Sequence, residues 1–235
     1  MTLNTKNLPR RGPRIEPLDA GTYPARVVQI VDLGLQKQRP YKGKEKDPAY
    51  EIMLTYELLD EFMVDEDGNE DESRPRFISE RMPIYRLEAE KARSTQRYYA
   101  LDPKEKYDGD FSKLVNTPCM VTVTQTTGKD GNVYANVGGV SAMRDKEAKR
   151  AKPLVNTPVV LSIGEADTAS FEKLPEWVQD LIKGGLAFEG SPLWEALNKE
   201  VDESDEPVED DDSIEDNDPD DEDYDEDEDD DEENW

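Results

Sequence analysis

The last 35 residues, 201–235, constrain this chain most, because they cannot belong to a folded core. They contain 24 Asp and Glu, no Lys or Arg, and end on Trp235. The whole chain has 57 acidic and 29 basic residues, so the first 200 residues have 33 acids against 29 bases. Like charges at this density repel one another, and we expect a disordered acidic tail after a nearly neutral body.

The remaining length suits one domain with a small appendage. No run of residues approaches the ~20 apolar positions of a membrane span, and the first residues, MTLNTKNLPRRGPR, lack the apolar centre of a secretory signal. The single cysteine, Cys119, lies in the apolar run Cys119-Met120-Val121 and is predicted to be a buried structural thiol. These features predict a soluble protein of the cytoplasm.

The chain contains no histidine, which removes several classes of chemistry. Ser-His-Asp and Cys-His nucleophile pairs are excluded, as are zinc sites that use histidine. Chemistry based on carboxylates and Mg²⁺ survives this filter. The composition therefore favours a binding protein over an enzyme, with neither a cofactor nor a metal.

The order of the predicted elements indicates a fold class. A basic arm rich in Pro and Arg covers residues 1–18. Five strands follow, at residues 22–33, 50–58, 76–85, 119–125 and 133–137, with a helix over 87–101. Because Pro24 cannot donate to a ladder, the first strand should start late or lie at an edge. Three strands, a helix and two strands is the order of a five-stranded OB-fold barrel, which we predict for residues 19–143 as a mainly β domain.

Residues 144–200 are predicted to form a basic connector and a helical extension that packs on the barrel. A strand is possible over 155–163. The helix over 175–183 has apolar residues at positions 174, 177, 178, 181 and 182, the spacing of one helix face. We interpret that face as core packing in preference to a partner-binding face. Ser191-Pro192 is expected to begin a last short helix.

An acidic hairpin tip is predicted between the second and third strands. Asp65, Asp67 and Asn69 alternate there in the manner of a calcium loop. The glycine that such a loop needs would directly follow Asn69, where this chain has Glu70. The pattern favours a solvated turn at Asp67-Gly68 over a calcium site.

An OB barrel binds its ligand on strands two and three, on the loop between strands one and two, and on the loop between strands four and five. Basic and aromatic residues are interleaved on these segments in this sequence. Single-stranded nucleic acid needs cations for its phosphates and flat rings for its bases. If Ile78 and Ile84 face the core, Phe77 and Arg81 face outward; whether Phe77 is instead a core residue stays open. The predicted DNA-binding residues are Lys37, Arg39, Tyr41, Lys42, Lys44, Phe77, Arg81, Lys129 and Tyr134.

Two further basic segments have no assigned role. Residues 144–152 would either extend the basic track or form an ordinary solvated helix end. Arg10, Arg11 and Arg14 would clamp either a DNA strand or a neighbouring subunit, so a homodimer stays possible.

The architecture resembles that of phage single-stranded DNA-binding proteins of the T7 type and of bacterial SSB. These proteins pair an OB fold with an acidic disordered tail that ends in an aromatic residue, and the tail here ends in DDDEENW. Their tails typically end in Phe, whereas this one ends in Trp. The resemblance implies that the protein coats single-stranded DNA in phage replication, recombination or repair. It also implies that Asp231, Glu232, Glu233 and Trp235 recruit replication and recombination proteins, and that the tail competes with DNA for the basic groove.

Two alternatives come from other classes. In one, the protein is an acidic DNA mimic or histone-chaperone-like module whose tail occupies a basic partner. In the other, it is a Mg²⁺-dependent nuclease. The nuclease is disfavoured because the densest acids lie in a hairpin tip and a disordered tail, which cannot hold a rigid metal geometry.

Overall fold

The computed structural model describes residues 16–65 and 67–204. Most of the predicted basic arm lies outside these residues. Most of the acidic tail does too, including the predicted partner-binding residues Asp231, Glu232, Glu233 and Trp235.

The described chain is mainly β, as predicted. Its sheet has the order β3-β2-β1-β4-β5; these neighbours are antiparallel, and β6 pairs with β1 in parallel. In the described part of the chain β3 and β5 end this order, so the sheet is open between them. The strands are β1 Gly21–Gln36, β2 Ala49–Val64, β3 Glu70–Pro83, β4 Pro118–Thr127, β5 Val133–Ala142 and β6 Val159–Leu161.

The long strand β1 is the centre of the sheet. It pairs with β4 over residues 21–26 and with β2 from Ala25 onward. Pro24 therefore lies where β1 has a single strand partner, the kind of position in which a missing N–H is tolerated. The strand begins at Gly21 and thus does not start late.

The helices are short, and all of those in the described chain follow β3. The predicted helix over 87–101 begins only at Arg93, because the chain before it forms turns in which the N–H groups of Ala89 and Ala92 donate to the carbonyl oxygens of Arg86 and Ala89. The α4 bounds agree with the prediction, with Pro175 as N-cap and Gly184 as C-cap. The helices are α1 Arg93–Leu101, α2 Asp145–Ala148, α3 Thr168–Glu172, α4 Glu176–Lys183 and α5 Pro192–Ser204; Phe111–Leu114 is a 3₁₀ turn.

Two hydrophobic cores lie against the sheet. The first gathers the inward side chains of β1 to β4, such as Val27, Leu54 and Val121, with Tyr98 of α1. The second joins Val31, Leu33 and Met53 of the sheet to the side chains of the C-terminal extension. The extension therefore packs on the sheet. The second core also buries Met53, which belongs to the β2 face opposite the inward one.

A buried carboxylate fastens the connector to β2. Glu57 is 1% exposed and accepts hydrogen bonds from the backbone N–H groups of Val155 and Asn156 at 2.6 and 3.1 Å. The Asn156 Nδ2 donates to the same carboxylate at 2.8 Å. Because these N–H groups bind a side chain, they cannot enter a strand ladder. The strand predicted over 155–163 is therefore wrong at its start, and β6 has three residues.

The connector also docks through Arg26 of β1. Its guanidinium donates to the carbonyl oxygens of Lys152 and Ala151 at 2.8 and 3.2 Å. Farther along β1, Gly34 adopts a φ of +71°, and a Cβ there would meet the Ile163 Cδ1 at 2.9 Å. A residue without a side chain is thus required where the extension crosses β1.

Candidate nucleic-acid interface

Phe77 occupies the centre of the candidate site. It lies on β3 opposite Glu57 of β2 and is 45% exposed, whereas its neighbour Ile78 is buried in the first core. Ile84 also packs against that core. Side chains alternate along a strand, so Phe77 points away from the core, as the outward hypothesis required.

A cleft of about 430 Å³ separates the free edges of β3 and β5. Phe77, from β3, and Tyr134, from β5, both line it, and Tyr134 is 47% exposed. Leu18 and Arg76 also line this cleft. The structure therefore brings together two predicted aromatic residues that are 57 positions apart in the sequence.

The Tyr134 hydroxyl is held by the turn that precedes β5. It donates to the Asp130 carboxylate at 2.6 Å, and the side chain and backbone N–H of Asn132 donate to the same group. These hydrogen bonds, the one from Tyr134 first, lower the pKa of Asp130 to about 2. At neutral pH the carboxylate is thus ionised and the ring direction is defined. Lys129, also predicted, is exposed on this turn.

A second cleft, of about 410 Å³, lies on the hairpin side of Phe77 and contains two arginines. Arg74 and Arg76 line it with Ser73 and Asn156. The Arg76 guanidinium donates to the backbone carbonyl of Glu16. Neither arginine was among the predicted residues, although their alternation immediately before Phe77 was a usable sequence signal.

The basic loop between β1 and β2 is exposed except at the half-buried Gln38 and lies away from Phe77. Its tip is a two-residue turn in which Tyr41 and Lys44 exchange backbone hydrogen bonds, and Lys42 and Gly43 have φ of 50° and 75°. The ammonium groups of Lys42 and Lys46 lie 5.3 and 5.1 Å from the Tyr41 ring centroid, a cation–π arrangement. Lys37 and Arg39 are likewise exposed.

The loop joins β2 at Ala49, eight residues from the Glu57 that faces Phe77, or about 26 Å along an extended strand. The predicted residues therefore form two groups. One surrounds Phe77 and the other surrounds Tyr41.

Arg81 lies between these groups but is not a free cation. Its guanidinium forms an ion pair with Glu51, and that carboxylate also accepts a hydrogen bond from Gln38 Nε2 at 2.7 Å. The prediction missed this pairing because Glu51 and Arg81 are 30 positions apart. Arg81 therefore reaches a phosphate only by sharing or exchanging its carboxylate partner.

Sequence reasoning also missed Trp177. It belongs to the apolar face of α4, yet it is 57% exposed, whereas Leu174, Val178 and Ile182 of the same face are buried in the second core. Trp177 lines a third cleft, of about 320 Å³, which Phe77 also lines. Helical spacing identifies an apolar face but does not tell which member lies at its rim.

Carboxylate side chains lie at the border of the site, on the side of the β2–β3 turn. Partial burial raises the pKa of Asp60 and of Glu61, with the Asp60 charge adding to the effect at Glu61. The turn closes as a solvated tip in which the Asp65 carboxylate accepts hydrogen bonds from the backbone N–H groups of Asp67 and Asn69. Within residues 16–65 and 67–204, no group of three or more Cys, Asp or Glu side chains is arranged to hold a metal ion.

No protein-family model matches this chain, and no curated protein is similar to it in sequence. In the part of the chain that the structure describes, every helix is too short or too polar to cross a membrane.

Proposed function

We propose that this protein binds single-stranded DNA without sequence preference and coats it during phage replication, recombination or repair. The observation that carries the proposal is the group around Phe77, where two exposed aromatic rings and two arginines line adjoining clefts. Aromatic rings stack on any base, and arginines neutralise phosphates, so this combination favours binding that ignores sequence.

The strand order supports an OB-type assignment for the same domain. In a barrel of this type, β1 to β3 form a meander, β1 pairs with β4, and β4 pairs with β5. That is the pairing observed here, with β3 and β5 at the two open edges. We propose that the sheet is an OB barrel whose β3–β5 seam holds the DNA.

Charge suggests a path for the strand. The acidic turn between β2 and β3 repels phosphates, while the loop around Tyr41 has exposed Lys37, Arg39, Lys42 and Lys44. A strand that stacks on Phe77 would therefore run toward the Tyr41 loop, with Arg81 between the two groups.

The acidic tail completes the proposal. A tethered polyanion is present at high local concentration near the basic groups, and the phosphates of DNA displace it when they bind. Partner proteins of replication and recombination then bind the released tail through Asp231, Glu232, Glu233 and Trp235.

The test is binding of fluorescently labelled oligo-dT, measured by anisotropy. Phe77→Ala should weaken binding roughly 5- to 150-fold, the equivalent of the ~1–3 kcal/mol of one base stack. Tyr107→Ala is the matched control, because Tyr107 is an exposed aromatic that lines none of the three clefts. Absence of oligo-dT binding by the wild-type protein would refute the proposal and favour the acidic interaction module.

A further inference from the structure

Trp177 is exposed although it belongs to the apolar face of α4. Three residues of its own helix face lie in the second core, whereas the indole stays at the surface. Large aromatic side chains contribute strongly to binding free energy when a ligand buries them. An exposed indole at the rim of a cleft is therefore a candidate ligand contact.

The cleft lies between two elements. The sheet contributes Phe77 and Ser79 of β3 and Thr55 of β2, and α4 contributes Trp177 with the preceding Pro175. Thr55 and Ser79 hydrogen-bond to each other through their hydroxyl oxygens at 2.9 Å. The walls thus present one aromatic ring each, and polar side chains lie between them.

The two walls are held in place by contacts outside the cleft. Gln36 Nε2 donates to the carbonyl of Leu181 at 2.9 Å, and the Leu186 N–H donates to the carbonyl of Leu35 at 2.7 Å. These bonds tie the end of α4 to β1. Asn156, which also lines the cleft, is fixed by Glu57. The separation between Trp177 and Phe77 is therefore set before any ligand arrives.

The charge distribution matches one kind of occupant. None of the described residues that line this cleft is charged, whereas the adjoining cleft across Phe77 contains Arg74 and Arg76. A nucleotide has the same division, with an uncharged flat base and an anionic phosphate. An anionic group placed inside the neutral cleft itself would find no cation among the residues that line it.

We infer that Trp177 and Phe77 form a base-binding position of single-stranded DNA in which a base enters the cleft between β3 and α4 and its phosphate lies toward Arg74 and Arg76. This inference rests on the proposed function. It assigns to the C-terminal extension a direct role in DNA binding, in addition to the role of the sheet.

The test uses the full chain with Trp194→Phe and Trp235→Phe, so that Trp177 is the remaining tryptophan. Oligo-dT should quench its emission along the same curve as the anisotropy of a labelled strand. An abasic oligonucleotide of equal length, which keeps the phosphates, should bind without this quenching. Equal quenching by both strands would overturn base stacking.

Affinity supplies an independent measurement in the otherwise wild-type chain. Trp177→Ala should weaken oligo-dT binding roughly 5- to 150-fold, and Trp177→Phe should retain most of the affinity. Leu186→Ala is the matched control, since the Leu186 side chain is exposed outside the cleft and the substitution keeps the backbone N–H that binds Leu35.

Two failures are distinguishable. Wild-type binding with unchanged Trp177 emission and unchanged Trp177→Ala affinity would overturn this inference and leave the proposed function intact. Absence of oligo-dT binding by the wild-type chain would overturn both.

Discussion

Cys119 illustrates how one residue is determined by its surroundings. It is fully buried in the first core, on β4 opposite Ala25 of β1 and Ala142 of β5. Burial raises the pKa of its thiol to about 12, because the thiolate would lose its hydration. The thiol is therefore neutral and inaccessible at physiological pH, as the apolar run around it predicted.

We expect Cys119 to resist a thiol-specific reagent at pH 8 in the native protein and to react fully in denaturant, which absorbance of the released chromophore would measure. The folded pKa lies above the ordinary value of 9.0. The stability that the neutral thiol provides is thus present below about pH 9 and is lost as pH rises toward 12. Rapid labelling of the native protein would contradict the buried environment.

At Phe77 and Arg81, the strand face on which a side chain lies and the contacts that it makes there are separate questions. The sequence left open whether Phe77 faces the core, and the structure places the side chains of both residues away from it. Strand alternation did not predict that Glu51 would pair with Arg81, because that contact depends on the register of β2 against β3.

At the scale of elements, α1 is fastened to the sheet by a buried ion pair. Arg97 Nε and a terminal nitrogen donate to the two carboxylate oxygens of Glu80 at 2.7 and 3.1 Å. The Tyr56 hydroxyl donates to the same carboxylate at 2.9 Å. Burial, with the Glu80 charge next, raises the pKa of Tyr56 well above its ordinary value, so the hydroxyl remains a donor.

Arg97→Ala should lower the free energy of unfolding by about 3–5 kcal/mol, because it leaves the Glu80 carboxylate buried without its cation. Urea denaturation followed by circular dichroism measures this loss. Arg93→Ala is the control on the same helix, where Arg93 is exposed and the expected change is within about 0.5 kcal/mol. Equal midpoints for the two variants would show that the ion pair does not fasten α1.

The element β2 also shows where periodicity is insufficient. Its even-numbered residues from 50 to 58 are all apolar, a pattern that indicates one buried face, yet residues 51–59 are buried on both faces. The cause is the C-terminal extension, which contributes Asn156 against Glu57 and the second core against Met53. The sequence of β2 contains no signal for a partner about 100 positions away.

At the scale of the whole molecule, the charge is divided between a body near −4 and a tail of −24. The structured extension reaches Ser204 in α5, a few residues into the segment that composition assigns to the tail. A truncation that preserves α5 therefore ends at Ser204.

Deletion of residues 205–235 should leave oligo-dT affinity unchanged or tighter, and any gain should shrink as salt rises, because the competition is electrostatic. Anisotropy titrations across a salt series measure it. Deletion of Trp235 alone keeps the charge and should leave DNA affinity unchanged while it weakens capture of replication partners. Markedly weaker DNA binding by the truncated chain would contradict competition by the tail.

The sequence by itself determined the features that depend on neighbouring residues. The turn at Asp67-Gly68, the β4–β5 hairpin, the bounds of α4, the burial of Cys119 and the division of charge follow from local geometry, periodicity and composition. Most of the individual candidate residues around Phe77 and Tyr41 were also visible in this way.

Only the tertiary structure decided how these pieces meet. It left the Tyr41 loop some distance along β2 from Phe77. It placed Tyr134 and Trp177 at clefts beside Phe77. It also paired Arg81 with Glu51 and hydrogen-bonded the connector to Glu57. Each of these contacts joins positions 30 to 100 apart in the sequence. Strand register and the docking of the extension set them, and no local pattern encodes either.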